Sequence, residues 1–191
     1  MSIDRAGARA AVEAFLRALG HDPNAHPDLA ETPARVVDAY ADELLAGYQV
    51  DIGALIRSGS VEVGDSPPSG PVTVRDLAVA TVCPHHLTPA LGRATVCYLP
   101  GPRVLGLGTI GHLVDACARR LVLQEQLGQD VVDALIQHAA ARGAACELEL
   151  RHACLCARGA RQAGASVYTL ATAGLLAQPD HAPLLARLLA R

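Results

Sequence analysis

Apolar residues recur along this chain with two periods, and the switches between them lay out the elements. From residue 3 to 20, Ala, Val, Phe15, Leu16 and Leu19 share one side of a helical wheel, and Gly20 closes the run. His21 to Leu29 is a polar, Pro-containing connection. Glu31-Thr32-Pro33 reads as a helix start, with Thr32 as N-cap and Pro33 at the first helical position. Val36, Val37, Tyr40, Leu44 and Leu45 carry that helix to about Ala46, before Gly47. Residues 58–70 are Ser-, Gly- and Pro-rich around Val61-Glu62-Val63, a loop with room for a short strand.

A period of two then takes over. Val72, Val74, Leu77, Val79 and Val82 predict a strand over 72–82, and Leu91–Leu99 predicts its partner. Pro100-Gly101-Pro102 is a turn, and Val104 to Leu107 a short strand. Helical spacing returns at Thr109–Arg120, with Ile110, Leu113, Val114 and Cys117 on one face. A longer helix is predicted from Leu123 to Arg142, with Leu127, Val131, Leu135 and Ala139 in register and Gly143 as its stop. The plainest strand is Ala145–Cys156, where Cys146, Leu148 and Leu150 alternate with Glu147, Glu149 and Arg151. That phase puts His152, Cys154 and Cys156 on the apolar face. A last strand covers 163–172 and a terminal helix 181–190. Helices, hairpin, two helices and hairpin make an α+β domain with an antiparallel sheet.

Composition narrows this. Of 191 residues, 51% are hydrophobic but only 3% aromatic, so the core is aliphatic and helices approach closely. The net charge of -3 gives no sign of general nucleic-acid binding. Every basic side chain is Arg; without Lys, no ammonium serves a phosphate, a Schiff base or proton transfer. No secretory segment follows Met1 and no apolar run is long enough to span a bilayer, so the expectation is a cytoplasmic protein with no membrane partner. Its six Cys are then expected as buried thiols or metal ligands rather than disulfides.

The chemistry concentrates in two stretches. Thr81-Val82-Cys83-Pro84-His85-His86-Leu87-Thr88-Pro89 puts a thiol and two imidazoles within four residues; Arg151-His152-Ala153-Cys154-Leu155-Cys156 adds a second set. Cys83 and His86 are spaced as Cys-x-x-His, with Cys154 a distant third. Three protein ligands and an open position make a catalytic zinc site; a closed structural site would recruit Cys156 or His85 as the fourth ligand. The alternative is ordinary thiols on an apolar face. His85 and His152 flank these candidates, and imidazoles that titrate near neutrality can move protons there; either can also simply cap or pack. Gln124-Glu125, at a helix start, can present a carboxylate to two N–H groups of a guanidine-like base edge, or serve only the helix dipole.

Glu31-Thr32-Pro33-Ala34-Arg35-Val36, Val72-Thr73-Val74-Arg75-Asp76, Cys83-Pro84-His85-His86, Leu123-Gln124-Glu125-Gln126-Leu127 and His152-Ala153-Cys154-Leu155-Cys156-Ala157-Arg158-Gly159 together resemble GTP cyclohydrolase I, in order from about residue 28 to 176. The resemblance implies the tunnelling fold (T-fold): an antiparallel four-stranded sheet with two helices packed on one face. Here it would be preceded by N-terminal helices, dividing the chain into a helical region over 1–57 and a catalytic domain over 58–191. It implies a toroidal homodecamer with active sites between subunits. Carried over position by position, Cys83, His86 and Cys154 would bind Zn2+, and His85 and His152 would transfer protons. Gln124 and a buried Glu125 would hold the guanine edge, and Arg158 would meet phosphate. The implied reaction activates water with zinc for attack at purine C8, opens the imidazole ring, releases formate and leads to dihydroneopterin triphosphate.

The chain departs from that pattern at four positions. Pro84 stands where the family keeps Glu, and Gly108, Thr109 and His112 stand where it keeps the Ser, Lys and Arg that help hold the triphosphate. Two lost contacts at about 1.5–3 kcal/mol each weaken binding by two or more orders of magnitude. Thr109, at a helix N-terminus, and His112 are the substrate-binding candidates left in that segment, with Arg35, Arg75 or Arg119 available from a neighbouring subunit. Three readings stay open: a GTP cyclohydrolase; the same zinc hydrolase chemistry on a purine base, nucleoside or 8-oxopurine lacking the triphosphate; and a non-catalytic purine- or metal-binding protein. A nitrile-reductase relative fits less well, since that branch relies on a Lys-containing motif.

Overall fold

A computed structural model of the chain describes residues 3–63 and 70–189; the rest of the Pro-rich loop expected before residue 70, and the end of the terminal helix, lie outside the described residues. The main sheet has four strands in the order β2-β3-β5-β6, all antiparallel: β2 Val72–Val82, β3 Pro89–Leu99, β5 Gly143–His152 and β6 Val167–Gly174. Two short strands, β1 Ser60–Glu62 and β4 Arg103–Leu105, pair beside it.

Helices α4 (Leu107–Ala118) and α5 (Gln124–Ala139) cover one face of the sheet. Their apolar stripes do this: Ile110, Leu113 and Cys117 of α4, and Leu127, Val131 and Leu135 of α5, are all fully buried. They meet Val96, Tyr98, Cys146, Leu148 and Leu150 from the sheet. Each large aliphatic chain so buried contributes about 1.5–3 kcal/mol. Small residues let α5 lie close: a Cβ on Gly128 would sit 3.3 Å from that of Ala171 on β6. The arrangement is the tunnelling fold. The far end of the sheet is covered on its other face too, where Leu176 and Leu185 of the C-terminal segment, with helix α7 (Ala182–Leu189), pack on Cys97, Leu99 and Ala145.

The N-terminal part holds α1 (Arg5–Ala18), α2 (Thr32–Asp38) and α3 (Ile52–Ser58). Helix α1 starts where the Asp4 side chain accepts from the Gly7 N–H, and none of its residues is buried; Phe15 and Leu19 stay exposed. Thr32 is the first helical residue of α2 rather than its cap, with Glu31 before it. The single helix expected to about Ala46 widens after Asp38 into a π-helical turn, Ala39–Leu44. Helix α3 was not legible as a periodic run because it is only two turns long. Its signals are local: Asp51 caps the Ala54 N–H at 2.9 Å, and Ile56 is fully buried in the main core.

Three further boundaries differ from the pattern reading. Helix α5 ends at a left-handed Ala140 (φ 50°), so Gly143 opens β5 instead of stopping the helix. Strand β6 begins at Val167, after a run of turns. Strand β5 stops at His152, and Ala153–Cys156 is a helical turn, α6. Among the described residues no helix is long and apolar enough to cross a membrane, and all six Cys are free thiols.

Candidate functional site

Strand β2 delivers Thr81, Val82 and Cys83 to one end of the sheet, where the chain turns through Pro84, His85 and His86 before β3. The turn is closed by two backbone bonds, Cys83 N–H to Thr88 O at 3.0 Å and Leu87 N–H to Cys83 O at 2.9 Å. Strand β5 brings His152 to the same end, since Ala90 at the start of β3 pairs with His152. The α6 turn then places Cys154 beside Cys83. Helix α5 points its first turn, Gln124 and Glu125, at the same spot. Together these segments line a cavity of about 270 Å³ holding Cys83, His85, His86, Glu125, His152 and Cys154.

Ligand atoms of Cys83, His86 and Cys154 lie within 4.8 Å of one another, and Cys83 Sγ is 3.9 Å from His86 Nδ1. Zinc bonds of about 2.3 Å to sulfur and 2.0 Å to nitrogen, at tetrahedral angles, set such atoms about 3.5–3.8 Å apart, so a contraction of up to about 1 Å accommodates the ion. The donor set also suits a soft to borderline cation. Burial, then the neighbouring Cys83, push the Cys154 thiol above its ordinary pKa, and Arg158 opposes this. A coordinated metal reverses that preference by holding thiolate. Cys156 stands apart. In a strand it would share a face with Cys154, but one helical turn rotates it about 200°, and its Sγ faces the Ala165 carbonyl instead.

Gln124, expected against the substrate's base edge, is only 3% exposed. Its side-chain nitrogen faces three acceptors: Leu148 O at 3.2 Å, Val167 O at 2.9 Å and Thr169 Oγ1 at 3.1 Å. That surrounding sets the amide's orientation and leaves Gln124 Oε1 to accept from His152 Nε2 at 2.7 Å. His152 therefore carries its proton on Nε2 when neutral, and Nδ1 is the free nitrogen. Burial lowers the His152 pKa, with Glu125 opposing, which favours the neutral ring. Gln124→Leu is expected to strand these groups and lower the unfolding free energy by about 1–3 kcal/mol. It should also release His152 into a mixture of tautomers. Urea denaturation and imidazole 15N shifts measure both; an unchanged midpoint with an unchanged tautomer would contradict the assignment.

His85 is exposed on the turn, its ring edge-on to His86 with centroids 6.3 Å apart. Glu125, expected buried, is exposed on the cavity wall. Arg158 is exposed beyond the α6 turn, where its carbonyl accepts from the Arg161 N–H at 3.1 Å. Thr109 and His112 are not brought to this cavity within the chain. Thr109 is buried, its hydroxyl donating to Gly59 O at 3.0 Å, and His112 lines a separate hollow with Asp115 and Arg119. A Cβ on Gly59 would fall 2.1 Å from Thr109 Oγ1, whereas one on Gly108 would meet nothing within 4 Å. Pattern reading passed over Thr81, Val122, Leu123, Leu155 and Val167 of the lining. They come from separate segments and no spacing marks them. Thr81 carries one clue, a buried hydroxyl without a partner among the described residues.

A T-fold scaffold with thiols, imidazoles and a carboxylate converging at one end of its sheet defines the class, a tunnelling-fold enzyme. The sequence matches the GTP cyclohydrolase I family over residues 8–186. GTP cyclohydrolase 1 of Leifsonia xyli subsp. xyli (strain CTCB07) is 41% identical over 181 residues, covering 92% of this chain and 90% of the relative. That of Allorhizobium ampelinum (strain ATCC BAA-846 / DSM 112012 / S4) is 38% identical over 170 residues, covering 89% and 83%. Among solved structures, the archaeosine synthase QueF-Like in the apo form superposes with a TM-score of 0.47 at 21% identity, over 57% of this chain and 97% of that one. The chain belongs to the GTP cyclohydrolase I family and is a hydrolase acting on a cyclic amidine C–N bond.

Proposed function

We propose that this protein is a zinc-dependent cyclohydrolase that opens the imidazole ring of a guanine-type purine, with GTP as the substrate that family membership favours. One observation carries the reading: Cys83, His86 and Cys154 converge in the same cavity as His85, Glu125 and His152. Cys83, His86 and Cys154 hold the ion, which when bound supplies Lewis-acid activation of water at neutral pH. The protein's own groups do the rest. Glu125 accepts the N–H groups of the guanine edge and fixes which ring atom faces the metal ligands. His152, held through Nε2 by Gln124, moves a proton at Nδ1. His85, on the open side of the turn, serves as the second proton-transfer group. Apolar Val122, Leu123 and Leu155 wall the cavity, which is of a size for a base with the ribose outside it.

A second reading, a purine without the triphosphate, is favoured by a separate observation. Among the described residues no arginine lines the cavity, and Gly108, Thr109 and His112 present no fixed cation to it. The chain is also proposed to work as a homo-oligomeric ring with sites between subunits. The open outer edges of β2 and β6 in the four-stranded sheet support that assembly.

Assaying zinc-loaded protein with GTP, guanosine, guanine and 8-oxopurines separates the readings. Formate and a fluorescent pterin from GTP are expected under the first. Ring opening confined to unphosphorylated purines would establish the second instead. Tight purine binding with no turnover of any of them would overturn both.

A further inference from the structure

The turn that carries His85 and His86 is anchored from outside the cavity. Leu87, the next residue, has φ of 51°. That left-handed conformation disfavours a side chain with a Cβ and persists only where its surroundings impose it. Two contacts hold it. The Tyr40 hydroxyl donates to the Leu87 carbonyl at 2.5 Å, across 47 positions of sequence. The Leu87 side chain, still 53% exposed, lines an apolar cavity of about 380 Å³ with Val12, Val36, Tyr40 and Tyr48.

Tyr40 reaches Leu87 from the π-helical turn. The Leu45 N–H bonds to Tyr40 O at 2.9 Å, five residues back, so the turn holds one residue more than an α-helical one. Such insertions are uncommon and re-aim the side chains around them. Helix α1 braces this segment, with Arg5 bonded to Asp38 and Asp42, and Arg9 to Asp38. The exposed α1, which buries no residue of its own, thus supports the helix that presents Tyr40. Burial keeps the Tyr40 phenol above its ordinary pKa, so it remains a donor through the neutral range.

We propose that Tyr40 is a positioning residue for the metal-site turn, its hydroxyl fixing the Leu87 carbonyl and, through it, the approach of His86 to Cys83 and Cys154. This rests on reading those three residues as metal ligands. Outer contacts that orient a ligand are worth roughly 10–100-fold in metal affinity.

The test is Tyr40→Phe, which removes one oxygen and keeps the ring in the apolar cavity. Zinc affinity, measured by competition with a chromophoric chelator, is expected to fall 10–100-fold. In the metal-free protein the Cys83 and Leu87 amides, both bonded within the turn, should exchange faster, with the melting temperature nearly unchanged. Unchanged zinc affinity and amide exchange would overturn the proposal. So would a loss of affinity accompanied by a matching loss of global stability, which makes Tyr40 merely structural. If the unaltered protein binds no zinc, the ligand assignment fails, and the amide exchange still decides whether Tyr40 orders the turn.

Discussion

Cys154→Ala is expected to lose zinc and ring-opening activity together while keeping its fold. Cys154 is half-buried on a single helical turn outside the main core, so removing its sulfur leaves no large void. What disappears is one of three converging donors. The loss of zinc affinity should exceed the roughly 10–100-fold that a supporting hydrogen bond is worth. Metal content after desalting, far-UV circular dichroism and turnover measure the three properties. Cys156→Ala is the matched control, because its Sγ faces the Ala165 carbonyl and should leave metal content alone. Stoichiometric zinc retained by the Cys154 variant would break the three-ligand assignment.

Glu125→Gln should have the second largest effect, on substrate and not on metal. A carboxylate accepting two N–H groups makes two charge-assisted bonds of about 1.5–3 kcal/mol each. Gln keeps one acceptor and turns a donor toward the other N–H. The expected fall in kcat/KM is about two to four orders of magnitude, since each 1.4 kcal/mol is tenfold. Zinc content should not change, because Glu125 is outside the donor cluster. A variant within threefold of the parent on every purine would show that the base is held elsewhere.

The fold was legible wherever one face of an element is buried along its whole length. Cys146, Leu148 and Leu150 alternate with Glu147 and Glu149, and β5 follows that alternation. The stripes of α4 and α5 likewise matched the side the sheet covers. Cys154 and Cys156 continue the alternation, yet the chain turns helical there, because side-chain phase does not record where strand pairing ends. Last in register with β3 is His152, opposite Ala90.

The site was legible as a set of chemical types, and its geometry brings most of them together. Orientation was not. Nothing local says that Gln124 turns into the sheet, because its acceptors, Leu148 O, Val167 O and Thr169 Oγ1, lie 24 to 45 positions away. Tyr40 counted only as one apolar position of a helix. Its hydroxyl found a role through a π-helical turn that has no sequence periodicity of its own.

The Gly59–Thr109 contact constrains the order in which this chain can change over generations. While Thr109 stands, its hydroxyl occupies the space that any Cβ at 59 would need. Substitution at 59 must therefore wait until 109 has become smaller or has turned away. Position 108 has no such obligation, since a Cβ there meets nothing within 4 Å. The N-terminus of α4 thus combines Gly108, open to a Cβ, with Thr109, whose side chain holds position 59 to glycine.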